Sequence, residues 1–272
     1  MCELFALSSR EPVGLCCSLD EFDRHGGGTA PHGDGWGLAR YVDRDVLLIK
    51  EARSAHGSEL ARWVREHPLS SRLVIGHVRK ATQGSMSYMN CQPFTRERRG
   101  VMHVFAHNGN LDAAALQAQL VAGGPQPVGD TDSERAFCVL LGGPDEGDAR
   151  PREASAQVAR VADFARRMRA LGPANFLYAD GACLYAHGHR RMQGAQGIRP
   201  PGLWMLALTE GVASACARFV RVEGAAAGPE APATIFASVP LSDDPRWRPL
   251  DEGELVVVRD GVVVGGTPGR AV

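Results

Sequence analysis

Apolar and polar positions alternate from Cys2 to Ser8 (Cys2-Glu3-Leu4-Phe5-Ala6-Leu7-Ser8), which predicts a strand that would hold the start of the chain rigidly. Leu15 to Arg24 has helical apolar spacing and leads into a glycine-rich loop, His25 to Gly35. Trp36 to Val42 and Val46 to Lys50 read as strands joined by a short polar turn, and Ser58 to Glu66 as a helix ending before Pro68. Arg72 to Val78 is a buried strand that delivers Arg79. Gly84 to Arg99 reads as a polar loop containing Pro93, and Val101 to Ala106 as a strand that delivers His107-Asn108-Gly109.

Asp112 to Val121 and Thr131 to Leu141 are predicted helices, the second opened by a capping box with Thr131 as N-cap and Glu134 three positions on. Glu153 to Leu171 is the longest amphipathic helix, with Val158, Val161, Ala162, Ala165 and Met168 on one face. Strands dominate afterwards: Phe176 to Ala179, Ala182 to Ala186, Leu203 to Leu208, Phe219 to Val222 and Thr234 to Val239. Glu254 to Arg259 and Val262 to Val264 flank Asp260-Gly261, a hairpin signal, and Gly224 to Pro232 is a surface loop. Strands, then helices, then strands give an α+β class in which one sheet system encloses both termini.

Composition narrows the partners. A length of 272 residues suits a single domain with a substantial core, and residues 1–272 are expected to form one. A net charge of −1 gives no reason to expect nucleic acid or an anionic membrane. No apolar stretch approaches the roughly 18 residues of a membrane span, so a soluble, cytoplasmic protein is expected. Seven cysteines, an odd number without paired spacing, argue against a disulfide framework or structural zinc, and most should be small buried hydrophobes. Cys16-Cys17 reads as local packing. His187-Gly188-His189 lacks a third ligand nearby and reads as a surface strand end, so neither a metal nor another cofactor is expected. The glycine-rich loop lacks the Gly-Lys-Ser/Thr ending of a phosphate cradle and reads as a loop packed beside the active site.

Cys2 carries the chemistry or is an accident of the start. Removal of Met1 would leave a thiol and a free α-amine on one residue, titrating near about 8.5 and 7.7–8.0, so that the amine serves the thiol as base. Three stretches bear on the choice: Gly76-His77-Val78-Arg79-Lys80-Ala81-Thr82, Phe105-Ala106-His107-Asn108-Gly109-Asn110-Leu111, and Gly129-Asp130-Thr131-Asp132-Ser133-Glu134. In this order behind Cys2 they resemble the class II, N-terminal nucleophile, glutamine amidotransferase domain, most closely its stand-alone YafJ-like branch. Gly26-Gly27-Gly28-Thr29, Asp34-Gly35-Trp36-Gly37 and Ala237-Ser238-Val239-Pro240-Leu241 extend the resemblance.

The resemblance implies the four-layered α/β/β/α sandwich of N-terminal nucleophile hydrolases, two stacked, mainly antiparallel sheets with helices outside. It implies that Met1 is removed and that Cys2 attacks the γ-amide of glutamine to form a γ-glutamyl thioester. Asn108 and Gly109 resemble the oxyanion hole, Arg79 the partner of the substrate α-carboxylate, and Asp132 that of its α-ammonium, with His77 and Thr82 lining the pocket. Read alone, His107-Asn108-Gly109-Asn110 is also a turn, Arg79 a surface arginine, Asp132 a capping acid and His77 a structural histidine. Lys80 and Gln83 depart from the synthase-linked members, where an aromatic and a histidine are common.

Three functions follow. The first is release of ammonia from glutamine, with a separate synthase as partner if the ammonia is transferred. The second is hydrolysis of another γ-glutamyl amide or peptide, and the third a non-catalytic glutamine-sensing module.

Overall fold

A computed structural model describes residues 2–14, 33–67, 70–143, 154–209 and 231–270. The strands are β1 (Glu3–Gly14), β2 (Gly35–Val42), β3 (Asp45–Glu51), β4 (Ser70–Arg79), β5 (Phe94–Arg98), β6 (Val101–Gly109), β7 (Ala174–Ala179), β8 (Leu184–His187), β9 (Arg191–Met192), β10 (Ile198–Arg199), β11 (Trp204–Leu208), β12 (Ala233–Ala237), β13 (Arg248–Pro249), β14 (Leu255–Arg259) and β15 (Val262–Thr267). The helices are α1 (Glu59–Glu66), α2 (Ala113–Gln117), α3 (Asp132–Leu141) and α4 (Ala154–Leu171), with a 3-10 turn at Tyr88–Asn90.

One sheet has seven strands in the order β13-β11-β12-β1-β4-β2-β3, and the other six in the order β15-β14-β8-β7-β6-β5. Every pairing within them is antiparallel. Period-two alternation then sorts the side chains into layers. Leu4, Ala6, Ile75 and Ala39 of the first sheet meet Val104, Ala106, Leu177 and Ala186 of the second in a central core. The opposite face of the first sheet, with Phe5, Leu7 and Val74, is covered by Ala61 and Val64 of α1. The opposite face of the second, with Phe105, Phe176 and Tyr178, is covered by Phe137 of α3 and by Val161, Phe164 and Met168 of α4. These are the four expected layers, α/β/β/α.

Several elements differ from the sequence reading. The first strand continues to Gly14 through an irregularity between Ser8 and Val13. The expected loop from Gly84 to Arg99 contains β5, because Phe94 packs into the outer core while the alternate residues face out. The helix expected from Asp112 is five residues long; Asp112 caps it by accepting from the Ala114 and Ala115 amides, and tighter i→i+3 bonds at Gln119 and Leu120 end it. Thr131 caps α3 as expected, accepting from the Glu134 amide at 3.2 Å. The Glu134 carboxylate, however, reaches Gly129 N at 2.7 Å and Arg96 instead of returning to the cap.

His187 and His189 are buried, not at the surface, and His187 Nδ1 donates to Glu254 O at 2.9 Å. Cys91, Cys138 and Cys183 are buried free thiols, as expected. Leu15–Arg24, Cys16-Cys17, Gly26–Thr29, Phe219–Val222 and, of the expected loop Gly224–Pro232, residues 224–230 lie outside the described residues. No helix among the described residues is long and apolar enough to cross a membrane.

Candidate active site

The same alternation assembles the site at one end of the sandwich. Leu4 and Ala6 face the central core, so Cys2, two positions earlier, projects from the same face of β1; Arg79 follows Ile75 and His77 on β4, and Asn108 follows Val104 and Ala106 on β6. The start of β1, the end of β4 and the end of β6 therefore meet where the two sheets open.

Cys2 Sγ lies against the main chain of Lys80, donating to its carbonyl at 3.4 Å and accepting from its amide at 3.3 Å. Burial pushes the Cys2 thiol up to about 11, against the Lys80 amide and the Arg79 charge, which pull it down. A thiol so placed is protonated at neutral pH and needs a base to become a nucleophile.

Asn108 is fully buried. Its Nδ2 donates to the Cys2 carbonyl and, at 3.3 Å, to Ser238 Oγ, which also accepts from Leu4 N at 2.9 Å. Its Oδ1 is buried without a hydrogen bond among the described residues. Gly109 ends β6 against the chain before β7: a Cβ there would lie 1.8 Å from Pro173 O, so no other residue fits without moving that backbone.

Arg79 is 3% exposed; Nη2 donates to Gln83 O and Gly84 O at 3.0 and 3.2 Å, while Nη1 is buried with no hydrogen bond among the described residues. The main chain around it is fixed by Asp34, whose amide donates to Arg79 O at 3.2 Å and whose carboxylate accepts from Ala81 N at 2.7 Å. Asp132, 4% exposed in the first turn of α3, accepts from Leu111 N at 2.7 Å. That bond ties α3 to the segment directly after Gly109.

The remaining two candidates are less central. His77 is fully buried within β4, consistent with a structural residue, and Thr82 is exposed on the loop after Arg79.

Four residues without an assigned role in the sequence reading brace this end. Gln92 continues the ladder of β6 beyond β5: its Oε1 accepts from His107 N at 2.6 Å and its Nε2 donates to His107 O at 3.2 Å. Asn175 braces the other edge, donating to Asn108 O at 2.9 Å and Arg190 O at 2.7 Å and accepting from His189 N at 2.7 Å. Ser238 holds Asn108 to β1, and Asn90 joins two loops. Their only sequence signal is a polar residue within an apolar run, clearest for Asn175 between Ala174 and Phe176.

A family model for class II glutamine amidotransferases matches residues 1–271. The chain belongs to the class II glutamine amidotransferases. Among its relatives, YafJ of Escherichia coli (strain K12) is 32% identical over 256 residues, spanning 93% of this chain and 96% of that one. The crystal structure of a predicted glutamine amidotransferase from Pseudomonas aeruginosa PA01 superposes with a TM-score of 0.68 at 27% identity, covering 97% of this amidotransferase and 99% of that chain. The glutamine phosphoribosylpyrophosphate amidotransferase of B. subtilis shares the fold, with a TM-score of 0.60 at 16% identity over 98% of this chain and 49% of its own.

Proposed function

We propose that this amidotransferase hydrolyses the γ-amide of glutamine to glutamate and ammonia through a thioester on Cys2. The observation that carries the proposal is the contact between Cys2 and Asn108, 106 residues apart, at the point where both sheets open. With Met1 removed, the Cys2 α-amine takes the Sγ proton as sulfur bonds to the γ-carbon. The oxyanion is held by Asn108 Nδ2 and the Gly109 amide, the C–N bond breaks, and the amine returns its proton to the leaving ammonia. Water then cleaves the thioester, releasing glutamate and regenerating the thiol.

Arg79 Nη1 takes the substrate α-carboxylate; a buried guanidinium nitrogen without a partner among the described residues is a natural seat for it. Asp132 takes the α-ammonium, and His77 and Thr82 complete the pocket walls. Reduced thiols suit action in the cytoplasm, and delivery of ammonia to an acceptor falls to a separate synthase. A second reading, another γ-glutamyl amide or peptide, is favoured by Lys80, whose main chain brackets the sulfur and which stands where the synthase-linked members commonly carry an aromatic.

The test is glutamate release from glutamine and from γ-glutamyl peptides by the protein and by Cys2→Ala, with the amino terminus determined by intact mass. Release that starts at Cys2 and vanishes in the variant is expected. Wild-type rates in Cys2→Ala would remove Cys2 from the chemistry, and release from peptides alone would select the second reading.

A further inference from the structure

The two groups assigned to the ends of the substrate sit on different segments, and one buried side chain joins those segments. Arg79 Nη2 is held by the carbonyls of Gln83 and Gly84. The next residue, Ser85, receives Asn90 Nδ2 on its carbonyl oxygen at 3.0 Å and on its Oγ at 3.4 Å. The same amide, 0% exposed, reaches the stretch leading to Asp132: Oδ1 accepts from Asp130 N at 2.9 Å and Nδ2 lies 3.5 Å from Asp130 Oδ2.

Both loops are shaped around this amide. A Cβ on Gly129 would lie 2.2 Å from Asn90 Oδ1, and one on Gly84, where φ is +75°, 2.8 Å from Asn90 Nδ2. The circuit closes on the far side, where Gln83 Nε2 donates to Asn110 Oδ1 at 2.6 Å and Leu111 O at 3.2 Å, while Leu111 N donates to Asp132.

We propose that Asn90 is a positioning residue that sets the spacing between Arg79 and Asp132, and thereby the site's selectivity for a ligand carrying both an α-carboxylate and an α-ammonium. The proposal rests on the reading of those two residues given above. Asn90 touches neither Cys2 nor Asn108, so its loss falls on recognition of the charged ends and not on the sulfur or the oxyanion hole. Misplacement of a positioning group by an ångström costs rates of the order of a hundredfold elsewhere, so loosening one of two anchors is expected to show as about tenfold or more in KM.

The test compares two electrophiles on the full chain. 6-Diazo-5-oxo-norleucine carries both charged ends, and iodoacetamide carries neither. In Asn90→Ala the rate of Cys2 labelling by the first falls about tenfold, labelling by the second is unchanged, and KM for glutamine rises with kcat within about threefold. Asn90→Asp is the second variant should Asn90→Ala fail to fold; it keeps the acceptor for Asp130 N, loses the donor to Ser85 O, and shifts the ratio in the same direction. Equal loss with both electrophiles marks a merely structural residue and overturns the proposal, as does an unchanged ratio in a folded variant. If the wild-type Cys2 is not labelled by the diazo compound, the reading of the substrate site falls and takes this inference with it; labelled wild type with an unchanged ratio defeats the inference alone.

Discussion

Both hydrogens of the Asn108 carboxamide are engaged, on the Cys2 carbonyl and on Ser238 Oγ. In the proposed mechanism an oxyanion forming beside Sγ takes over a donor already aimed at the Cys2 residue. Removing it by Asn108→Ala is expected to lower kcat about 10²- to 10³-fold with a smaller change in KM, the usual cost of one oxyanion donor. Steady-state glutamate release measures this, and a loss under threefold would assign the oxyanion to other donors. Cys2, Asn108, Gly109, Arg79 and Asp132 were singled out in the sequence because the order of three short motifs behind Cys2 resembles one family; read alone, those motifs are also a turn, a strand end and a helix cap. Asn90, Gln92 and Asn175 were not singled out, because a side-chain amide bonding distant main chain leaves no periodicity or spacing in the sequence.

Elements explain why these residues converge. Strands β1, β4 and β6 were readable from alternation, and alternation also fixes which face Cys2, Arg79 and Asn108 occupy. Strand β5 was hidden because only Phe94 of its five residues faces the core, so its burial pattern resembles a polar loop. The end of β6 depends on its two flanks: Gln92 pairs with the His107 main chain and Asn175 with the Asn108 carbonyl. Asn175→Ala strands two buried main-chain groups, those of Asn108 and His189, at about 1–3 kcal/mol each, and removes a part-buried bond to Arg190 O. Urea unfolding should show a loss of about 3 kcal/mol or more; an unchanged midpoint would mean that water or local rearrangement satisfies them.

The molecule as a whole carries a pH signature. Burial lowers the proton affinity of His187 to about 3 and of His103 and His189 to about 4, and lowers that of His107. In the unfolded chain these rings bind protons near about 6.5, so between 6.5 and the folded values the unfolded state holds more protons. Stability is therefore complete above that window and falls as pH drops through it; His187 alone accounts for about 2 kcal/mol at pH 5. The urea midpoint should be lower at pH 5.0 than at pH 7.5, with His187→Gln narrowing the gap, and equal midpoints would contradict the buried neutral rings. The order of strands has a temporal consequence as well. Strand β1 is flanked by β4 and β12, and Leu4 N is bonded to Ser238 Oγ, 234 residues away in sequence. At ribosomal rates of about 5–20 residues per second, β12 emerges tens of seconds after β1. Throughout that interval the first residues lack one wall of their final seat, so the nucleophile proposed above is assembled only when the chain is nearly complete.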